Sequence, residues 1–469
     1  MAKLQDVKNL IKLSQMFLSS QKHPFVACNN ELYKFNDKYY ELLEDNVLGK
    51  MITKFFIDNE SSSSWRPVLC QNIIQTIKYL PSIKNIKEFN NYDSLINISN
   101  GIYDFDKKKL SSHTPDKYFT SIVKVDYDSN NTDASGFIGI LNDIFKNPDG
   151  SVDKKALYNI LQIGGYLMYP KNKVKSLFLF FGTGSNGKGI VMEHAYKMFF
   201  DKHFISALSL NTLSKDESSS RKLLLTSRVN FATEQKAGDI ESEELKKIVS
   251  GEDISIERKY QDAMTFKPNT KIIVSANRLP RFKDTTYGTD RRLMMINFQN
   301  QFVSQKEYDR LRPVERERVF VAKDEDKLVG IMKKEKTAIF NLFIKALEDL
   351  RENNWRFNLS RSSESIFSEY KEDSDVVGTW LKDNYELSDS GALEVSFIFS
   401  DFNAWWRDNY GDKKGWVNTN LLGRSIKNIF RIKAGKEQVK REDGKWTTAS
   451  YYKIKRIDEK YNKLAGYDK

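Results

Sequence analysis

Apolar positions in the middle of the chain form short runs, which are separated by longer segments with a helical period. The runs are "SLFLFF" (176–181), "RVNFAT" (228–233), "KIIVSA" (271–276) and "RLMMINF" (292–298). Short apolar runs of this kind are typical of strands that are buried on both faces of a parallel sheet. The amphipathic segment "TAIFNLFIKALEDLRENNW" predicts a helix that closes the region. The pattern therefore predicts an α/β domain over residues 133–345.

The first third of the chain has a different pattern. "HPFVACNNELYKFNDKYYELL" alternates apolar and polar residues around Asn and Asp turns, and Asn100-Gly101 in "LINISNGIYDFDKKKL" suits a tight hairpin. The run "FTSIVKVDYDSNNTDASG" ends a strand in a polar cluster that contains Gly. We therefore expect a small α/β domain over residues 1–132.

The last hundred residues predict three helices followed by two strands. The helical segments are "DVVGTWLKDNYEL", "VSFIFSDFNAWWRDNYG" and "NTNLLGRSIKNIF", and "IKAGKEQVKREDGKWTTASYYKIKRI" has two strands around a charged turn. Three helices followed by a basic hairpin is the order of a winged helix. We therefore expect a C-terminal winged-helix domain over residues 365–469.

Charge adds a candidate partner to this picture. The chain has 469 residues and a net charge of +12, and residues 411–469 hold sixteen Lys or Arg against seven Asp or Glu. A basic segment of this kind favours a polyanion such as DNA, and a basic surface without a ligand is the alternative. Two Cys and four His provide no zinc-ligand spacing, and no apolar run is long enough for a membrane span. We expect a cytoplasmic protein without a structural metal.

The strand "SLFLFF" leads into "GTGSNGKG", which matches the phosphate-binding loop pattern G-x-x-x-x-G-K. Such a loop directs backbone N–H groups at phosphates, and its lysine contacts the outer ones. The predicted nucleotide-binding residues are Gly182, Thr183, Gly184, Ser185, Asn186, Gly187, Lys188 and Gly189. The pattern departs from the usual one at Gly189, where a Ser or Thr hydroxyl normally binds Mg²⁺. ATP and Mg²⁺ are the predicted cofactors.

Three further signals follow in the order that an ATPase needs. Glu234 follows the strand "RVNFAT", where a carboxylate would hold Mg²⁺ and orient the attacking water. Asn277 follows "KIIVSA", where an amide would contact the γ-phosphate, and Arg291 and Arg292 precede the next strand. Taken singly, these residues also fit a surface glutamate, a turn-capping asparagine and two solvated arginines.

This order of motifs resembles the superfamily-three helicases, a branch of the AAA+ ATPases, and in particular the phage and poxvirus primase-helicase family. The most specific part is "ELKKIVSGEDISIERKYQDAMTFKPNTKIIVSANRLP", with Lys246, Gly251, Asp253, Asn277 and Pro280 at the family's positions. The resemblance covers most of residues 80–350. Because only about 130 residues precede the helicase-like part, we expect a helicase without a primase. Such a protein is similar to replication initiators of bacterial mobile islands.

The resemblance implies an ATP-hydrolysing DNA helicase that forms a hexameric ring and moves 3′→5′ on single-stranded DNA. Lys188, Glu234 and Asn277 would act on ATP, and Arg292, or less favourably Arg291, would complete the site of the neighbouring subunit. The hairpin residues Arg258, Lys259 and Tyr260 would contact the strand in the channel. Primase or loader proteins are possible partners.

The C-terminal domain is expected to recognise origin duplex DNA, with the helix around residues 420–430 in the major groove. The predicted contacts are Arg424, Lys427 and Arg431 on the helix, and Lys440, Arg441 and Lys445 at the hairpin turn.

Two alternatives stay open at this point. One is an origin-binding protein whose ATP site drives assembly only, because Gly189 and Gln235 depart from the usual metal site. The other is a different AAA+ machine, such as a DNA-packaging or protein-remodelling motor. For the helicase we expect Glu234 and water to replace the missing hydroxyl, with Thr183 or Ser185 as less favoured helpers. A serine at position 189 should then be tolerated.

Overall fold

The computed structural model describes residues 2–59, 65–215, 219–233, 239–241, 243–258, 261–282, 291–374, 376–389, 391–410, 419–440 and 446–457. The chain divides into two compact units, Met1–Ile366 and Phe367–Lys469. The first unit contains the predicted N-terminal and ATPase regions, and the second contains the predicted winged-helix region. Among the described residues, no helix is both long and apolar enough to cross a membrane.

The first 85 residues form a small α/β layer. Its elements are α1 (Ala2–Ser19), β1 (Phe25–Cys28), β2 (Glu31–Phe35), β3 (Tyr40–Leu42), α2 (Asp45–Asp58), α3 (Pro67–Tyr79) and β4 (Lys84–Asn85). The strand order is β3-β2-β1-β4, and the helices bury a core of aliphatic and aromatic side chains against β1 and β2. Asn29 and Asn30 turn the chain from β1 to β2 with φ of 50° and 61°. Asn tolerates this left-handed conformation better than most residues.

A three-stranded antiparallel meander follows, with β5 (Leu95–Ile98), β6 (Gly101–Asp104) and β7 (Lys109–Ser111). The predicted hairpin is therefore present. Because Ile98 pairs with Gly101, the turn consists of Ser99 and Asn100, one residue earlier than the Asn100-Gly101 pair suggested.

The centre of the first unit is a five-stranded parallel sheet. Its strands are β8 (Leu177–Phe181), β9 (Ile205–Ser206), β10 (Val229–Ala232), β14 (Lys271–Ala276) and β16 (Leu293–Asn297), in the order β16-β8-β14-β10-β9. Every pairing in this sheet is parallel. The four predicted strands are thus found in a parallel sheet, and β9 joins them at one edge. In this order β14 lies between β8 and β10.

Helices flank these strands along the chain, and four of them, within residues 135–168 and 325–352, complete the main hydrophobic core. The flanking helices are α4 (Ser135–Ile144), α5 (Lys154–Met168), α6 (Leu210–Leu213), α7 (Glu243–Ser250), α8 (Gln305–Arg310), α9 (Glu325–Lys334), α10 (Lys336–Glu352) and α11 (Arg361–Ser374). Helix α10 corresponds to the predicted closing helix. It packs closely on α5, since an added Cβ at Gly164 would lie 2.6 Å from the Phe343 ring. The glycine lowers helix propensity but permits this close contact.

Short strand pairs lie beside the main sheet. They are β11 (Asp239–Ile240) with β15 (Arg281–Phe282), β12 (Ile254–Arg258) with β13 (Gln261–Phe266), and β17 (Gln301–Val303) with β18 (Val319–Val321). The β12–β13 pair is antiparallel, which agrees with the hairpin predicted from "DISIERKYQDAMTF".

The second unit contains α12 (Val376–Asn384), β19 (Tyr385–Leu387), β20 (Leu393–Glu394), α13 (Val395–Tyr410), α14 (Thr419–Phe430), β21 (Gly435–Lys440), β22 (Trp446–Tyr452) and β23 (Ile454–Arg456). One sheet has the order β20-β22-β21, and β19 pairs with β23. Three helices and a hairpin are therefore present as expected. The first helix ends earlier than predicted, because Tyr385 is buried in the core and residues 385–387 pair with β23.

Candidate nucleotide site

A cavity of about 730 Å³ opens at the carboxyl end of β8. Residues 184–189 of the glycine-rich loop line it, whereas Gly182 and Thr183 are not among its lining residues. The loop needs unusual backbone angles, with φ of 112° at Gly184, 46° at Ser185 and 87° at Gly187. An added Cβ at Gly187 would also lie 2.7 Å from the Ile144 side chain. Both the conformation and the close packing therefore require glycine at position 187.

The chain becomes helical at Lys188, and the helix is of an unusual type. Residues 188 and 189 are α-helical, and Ile190–Tyr196 forms a π-helix. Gly189 has ordinary helical angles, φ −59° and ψ −46°, and nothing lies within 4 Å of a Cβ added there. This open space is consistent with the expectation that serine fits at position 189.

Lys188 lies at the floor of the cavity and is 5% exposed. Its Nζ donates to the Gly182 carbonyl oxygen at 2.6 Å and to Asn277 Oδ1 at 3.1 Å. The structure thus brings together two site residues that are 89 positions apart in the chain. Burial lowers the pKa of Lys188 to about 8, because the charged ammonium is partly desolvated.

Two hydroxyl groups at strand ends also line the cavity, and the sequence interpretation missed them. Ser275 is in β14, two residues before Asn277, and Thr233 directly follows β10. Their position at the ends of predicted apolar strands was a usable signal, because the carboxyl ends of parallel strands meet at one edge of the sheet. Glu234 lies outside the described residues, as does Gln235.

One wall of the cavity carries apolar side chains from elements that the sequence interpretation did not connect with the loop. Ile140 and Ile144 come from α4, Phe302 and Phe320 from the β17–β18 pair, and Leu328 from α9. The backbone N–H of Phe302 donates to the Ser185 carbonyl oxygen at 2.6 Å. The β17–β18 pair is thereby tied to the glycine-rich loop.

One buried amide holds α4 in place beside this pair. Asn300 Nδ2 donates to the carbonyl oxygens of Ile144 at 3.0 Å and Lys146 at 2.8 Å, at the end of α4. Lys146 in turn places its Nζ 5.8 Å from the centre of the Phe320 ring. The apolar wall is therefore supported by specific polar contacts.

The two predicted arginines lie at the amino-terminal ends of the sheet strands, opposite to the ends that carry the glycine-rich loop. The Arg292 carbonyl oxygen accepts from the N–H of Leu177, at the start of β8, whereas the loop follows the end of β8. Five residues of strand separate these points, a distance of about 17 Å. Arg292 Nε donates to Ser250 Oγ at 2.7 Å, and its guanidinium is 3.7 Å from Glu252, while Arg291 is exposed. Within one chain, Arg292 and Lys188 do not form one site.

The predicted DNA-contact residues are only partly described. In the β12–β13 hairpin, Ile254, Ile256, Met264 and Phe266 are buried, and Arg258 ends β12. Lys259 and Tyr260 lie outside the described residues.

In the second unit, Arg424 and Lys427 are exposed on α14, and Arg431 is exposed just after it with φ of 54°. Lys440 ends β21, and Arg441 and Lys445 lie outside the described part of the chain.

Metal-binding capacity can be judged from the oxygen atoms around the cavity. The described residues contain no group of three His, Cys, Asp or Glu side chains arranged to hold a metal ion. The hydroxyl-bearing residues Ser185, Thr233 and Ser275 line the same cavity as Lys188. Mg²⁺ in nucleotide sites usually takes one or two protein oxygens together with phosphate and water oxygens. The donor set therefore fits a nucleotide-bound Mg²⁺ but not an independent metal site.

Two family models match parts of the chain. Residues 180–292 match a family of unknown function (DUF5906), and residues 19–146 match the family described as D5 N terminal like. The first match includes the glycine-rich loop, Asn277 and Arg292. The second covers the N-terminal layer and the meander.

Curated relatives and solved structures were also found. Putative helicase L207/L206 of Acanthamoeba polyphaga mimivirus is 28% identical over 242 residues, which cover 49% of this chain and 24% of that protein. Putative helicase 121R of Invertebrate iridescent virus 3 is 20% identical, over 72% of this chain and 37% of that protein. The apo structure of the NrS-1 C terminal region (A form) covers 94% of this chain and 98% of that one, with a TM-score of 0.46 and 14% identity.

The chain thus spans about a quarter to two fifths of the length of these two viral relatives. By sequence, it is similar to viral proteins that are named putative helicases.

Proposed function

We propose that the chain is an ATP-hydrolysing DNA helicase and replication initiator of the phage and viral primase-helicase family, with a superfamily-three AAA+ core. The observation that carries this proposal is the contact of buried Lys188 with Asn277 at the floor of the cavity. A lysine and an amide meeting at the end of parallel strands, beside a glycine-rich loop, form a binding site for a triphosphate. The names of the viral relatives support the same function.

The cavity has room for a whole nucleotide. The phosphates would lie against the loop and Lys188, and Lys188 would exchange its contact with the Gly182 carbonyl for the outer phosphates. The base would lie against the apolar wall, beside Ile144 and Phe320. Flat aromatic and aliphatic walls suit a purine, since burial of its faces is favourable.

Hydrolysis requires an attacking water and stabilisation of charge on the γ-phosphate. Asn277 is placed to donate its amide N–H to the γ-phosphate or that water, because its Oδ1 already accepts from Lys188. Glu234, which follows Thr233, would polarise the water. Mg²⁺, held through Glu234 and by Thr233, Ser275 or Ser185, would neutralise phosphate charge when bound.

The separation of Arg292 from Lys188 favours a site that is shared between subunits. Arg292, at the other end of the strands, would exchange its contacts with Ser250 and Glu252 for the nucleotide of a neighbouring copy in a ring. There it would stabilise charge in the transition state. A closed ring with head-to-tail contacts satisfies this geometry at every interface. We propose a hexamer, in agreement with the family resemblance.

DNA would contact both units. The hairpin β12–β13 would place Arg258, Lys259 and Tyr260 in the ring channel on a single strand, with movement in the 3′→5′ direction. Apart from β19 and β23, which pair with each other, the second unit has the order α12-β20-α13-α14-β21-β22. This order resembles that of a winged helix, which supports origin recognition by α14. Primase or loader proteins would join at the origin.

Substitution of the cavity lysine tests the enzyme proposal. Lys188→Ala should lower the rate of ATP turnover at least about 100-fold, because the buried cation facing the phosphates is removed. Lys345→Ala is the matched control, since Lys345 is an exposed lysine on α10. Unchanged turnover in Lys188→Ala would refute the proposal. A wild-type protein that assembles with ATP but does not hydrolyse it would favour the assembly-only alternative.

A further inference from the structure

The β21–β22 hairpin carries an exposed aromatic side chain at the first residue of β22. Trp446 is the first residue of β22, lies opposite Lys440 in the register, and is 67% exposed. It takes no part in the hydrophobic core of the second unit. A large ring with a polar N–H at the end of a hairpin is a typical contact residue for a partner.

The register defines which face of the hairpin carries this tryptophan. Side chains alternate along a strand, so Trp446, Thr448, Ser450 and Tyr452 share one face. Gln438 on β21 shares it as well, because its Nε2 donates to Thr448 Oγ1 at 3.1 Å. At the base of the hairpin this face packs on α14. There, the Tyr452 hydroxyl donates to the Gly423 carbonyl oxygen at 3.0 Å.

Exposed basic side chains lie on α14 and on β21. Arg424 and Lys427 are exposed on α14, three positions apart and hence on one side of the helix. Lys436 is exposed on β21, two residues before Gln438 and on the same face. From Tyr452 to Trp446 the strand extends about 20 Å beyond the core contact. The second unit therefore has exposed cations on α14 and β21 and an exposed ring on β22, a combination that complements a phosphate backbone leading to an accessible base.

The chemistry of the ring selects the type of DNA. Inside a continuous duplex every base face is covered by its neighbours, and insertion of a ring costs unstacking energy. At a junction between paired and unpaired DNA, the last base pair has one uncovered face. An indole can stack there without this cost, as aromatic side chains do on unpaired bases.

We infer that the β21–β22 hairpin binds the junction of duplex and single-stranded DNA, with Trp446 stacked on the last base pair and the α14 cations on the duplex backbone. The inference rests on the proposed binding of DNA by the second unit and gives that unit a role at the fork, in addition to origin recognition.

Equilibrium binding by the full-length chain without nucleotide tests this inference. Two fluorescent probes of the same sequence are compared: a forked duplex, and a dumbbell whose two ends are closed. Trp446→Ala should weaken binding to the fork about 10-fold and leave dumbbell binding within about 2-fold of wild type. Trp446→Phe should keep most of the affinity for the fork. Phe397→Ala, another exposed aromatic of the same unit at 41% exposure, should bind both probes like wild type.

Two results would overturn the inference: wild-type affinity of Trp446→Ala for the fork, or an equal loss on both probes, which would indicate a groove contact. The double substitution Arg424→Ala, Lys427→Ala tests the proposed function separately from the inference about Trp446. It should weaken binding to both probes. If it weakens neither, the second unit does not bind duplex through α14, and the proposal of origin recognition fails independently of Trp446.

Discussion

At the scale of single residues, the account depends on the charge of Lys188. Its pKa of about 8 means that the free protein loses this charge as the pH rises through 8. A bound triphosphate would stabilise the charged form and raise the pKa of the lysine. Nucleotide binding should therefore be coupled to the protonation of Lys188.

The affinity for ATP should accordingly fall about tenfold between pH 7 and pH 9, because the charged fraction of Lys188 falls by that factor. Titration calorimetry at several pH values measures it. Lys188→Arg is the control, since a guanidinium stays charged over this range and corrects for ionisation of the nucleotide. The same pH dependence in both proteins would show that Lys188 is not the group responsible.

Several of these residues could be identified from sequence for physical reasons. The loop needs glycine where φ is positive, and apolar strands in parallel order bring their carboxyl ends to one edge, so Lys188 and Asn277 were predicted to be near each other. Thr233 and Ser275 were missed although both lie at the ends of predicted strands, because a hydroxyl there is a weaker signal than a carboxylate or an amide. The role of Glu234 stays a prediction.

At the scale of elements, strand lengths were easier to predict than strand order. The limits of β14 agree with the apolar run "KIIVSA", but its position between β8 and β10 depends on how the connections cross the sheet. No sequence pattern predicted that α4, β17 and β18 meet at the glycine-rich loop. They are brought there by contacts between distant residues, such as that of Phe302 with Ser185.

The apolar wall of the cavity leads to a second prediction, on the binding of the nucleotide base. Phe320→Ala should weaken ATP binding about 10-fold but leave the binding of inorganic tripolyphosphate unchanged, because only ATP has a base to bury. Competition with a fluorescent nucleotide measures both ligands. Val314→Ala is a control in the same β17–β18 connection, as Val314 is 77% exposed and outside the cavity. An equal loss for both ligands would mean that Phe320 supports the loop and does not hold the base.

At the scale of the whole molecule, the central feature is the distance between the proposed nucleotide site and Arg292. Lys188 and Asn277 lie at one edge of the sheet, and Arg292 lies at the other. In a parallel sheet, residues that precede a strand and residues that follow a strand lie at opposite ends of the strands. The separation of Arg292 from Lys188 and Asn277 was therefore implicit in the sequence. The number of subunits in the proposed ring would depend on the angle between neighbouring subunits, which sequence patterns do not predict.

Shared sites predict that two inactive variants restore each other. Lys188→Ala and Arg292→Ala should each hydrolyse ATP poorly, and an equal mixture should recover about a quarter of wild-type turnover, the fraction of interfaces that join two intact halves in random rings. Arg291→Ala is the matched control and should stay active, since Arg291 is the exposed neighbour. No recovery in the mixture would argue that Arg292 acts within its own chain or not at all.

The most direct test of the account is strand separation on forked DNA by the purified protein. With ATP and Mg²⁺ the wild-type chain should displace the labelled strand, with a rate that follows ATP turnover, and Lys188→Ala should displace none under the same conditions. Equal displacement by the two proteins, or ATP-driven movement along duplex without separation of its strands, would contradict the central claim that this chain is an ATP-driven helicase.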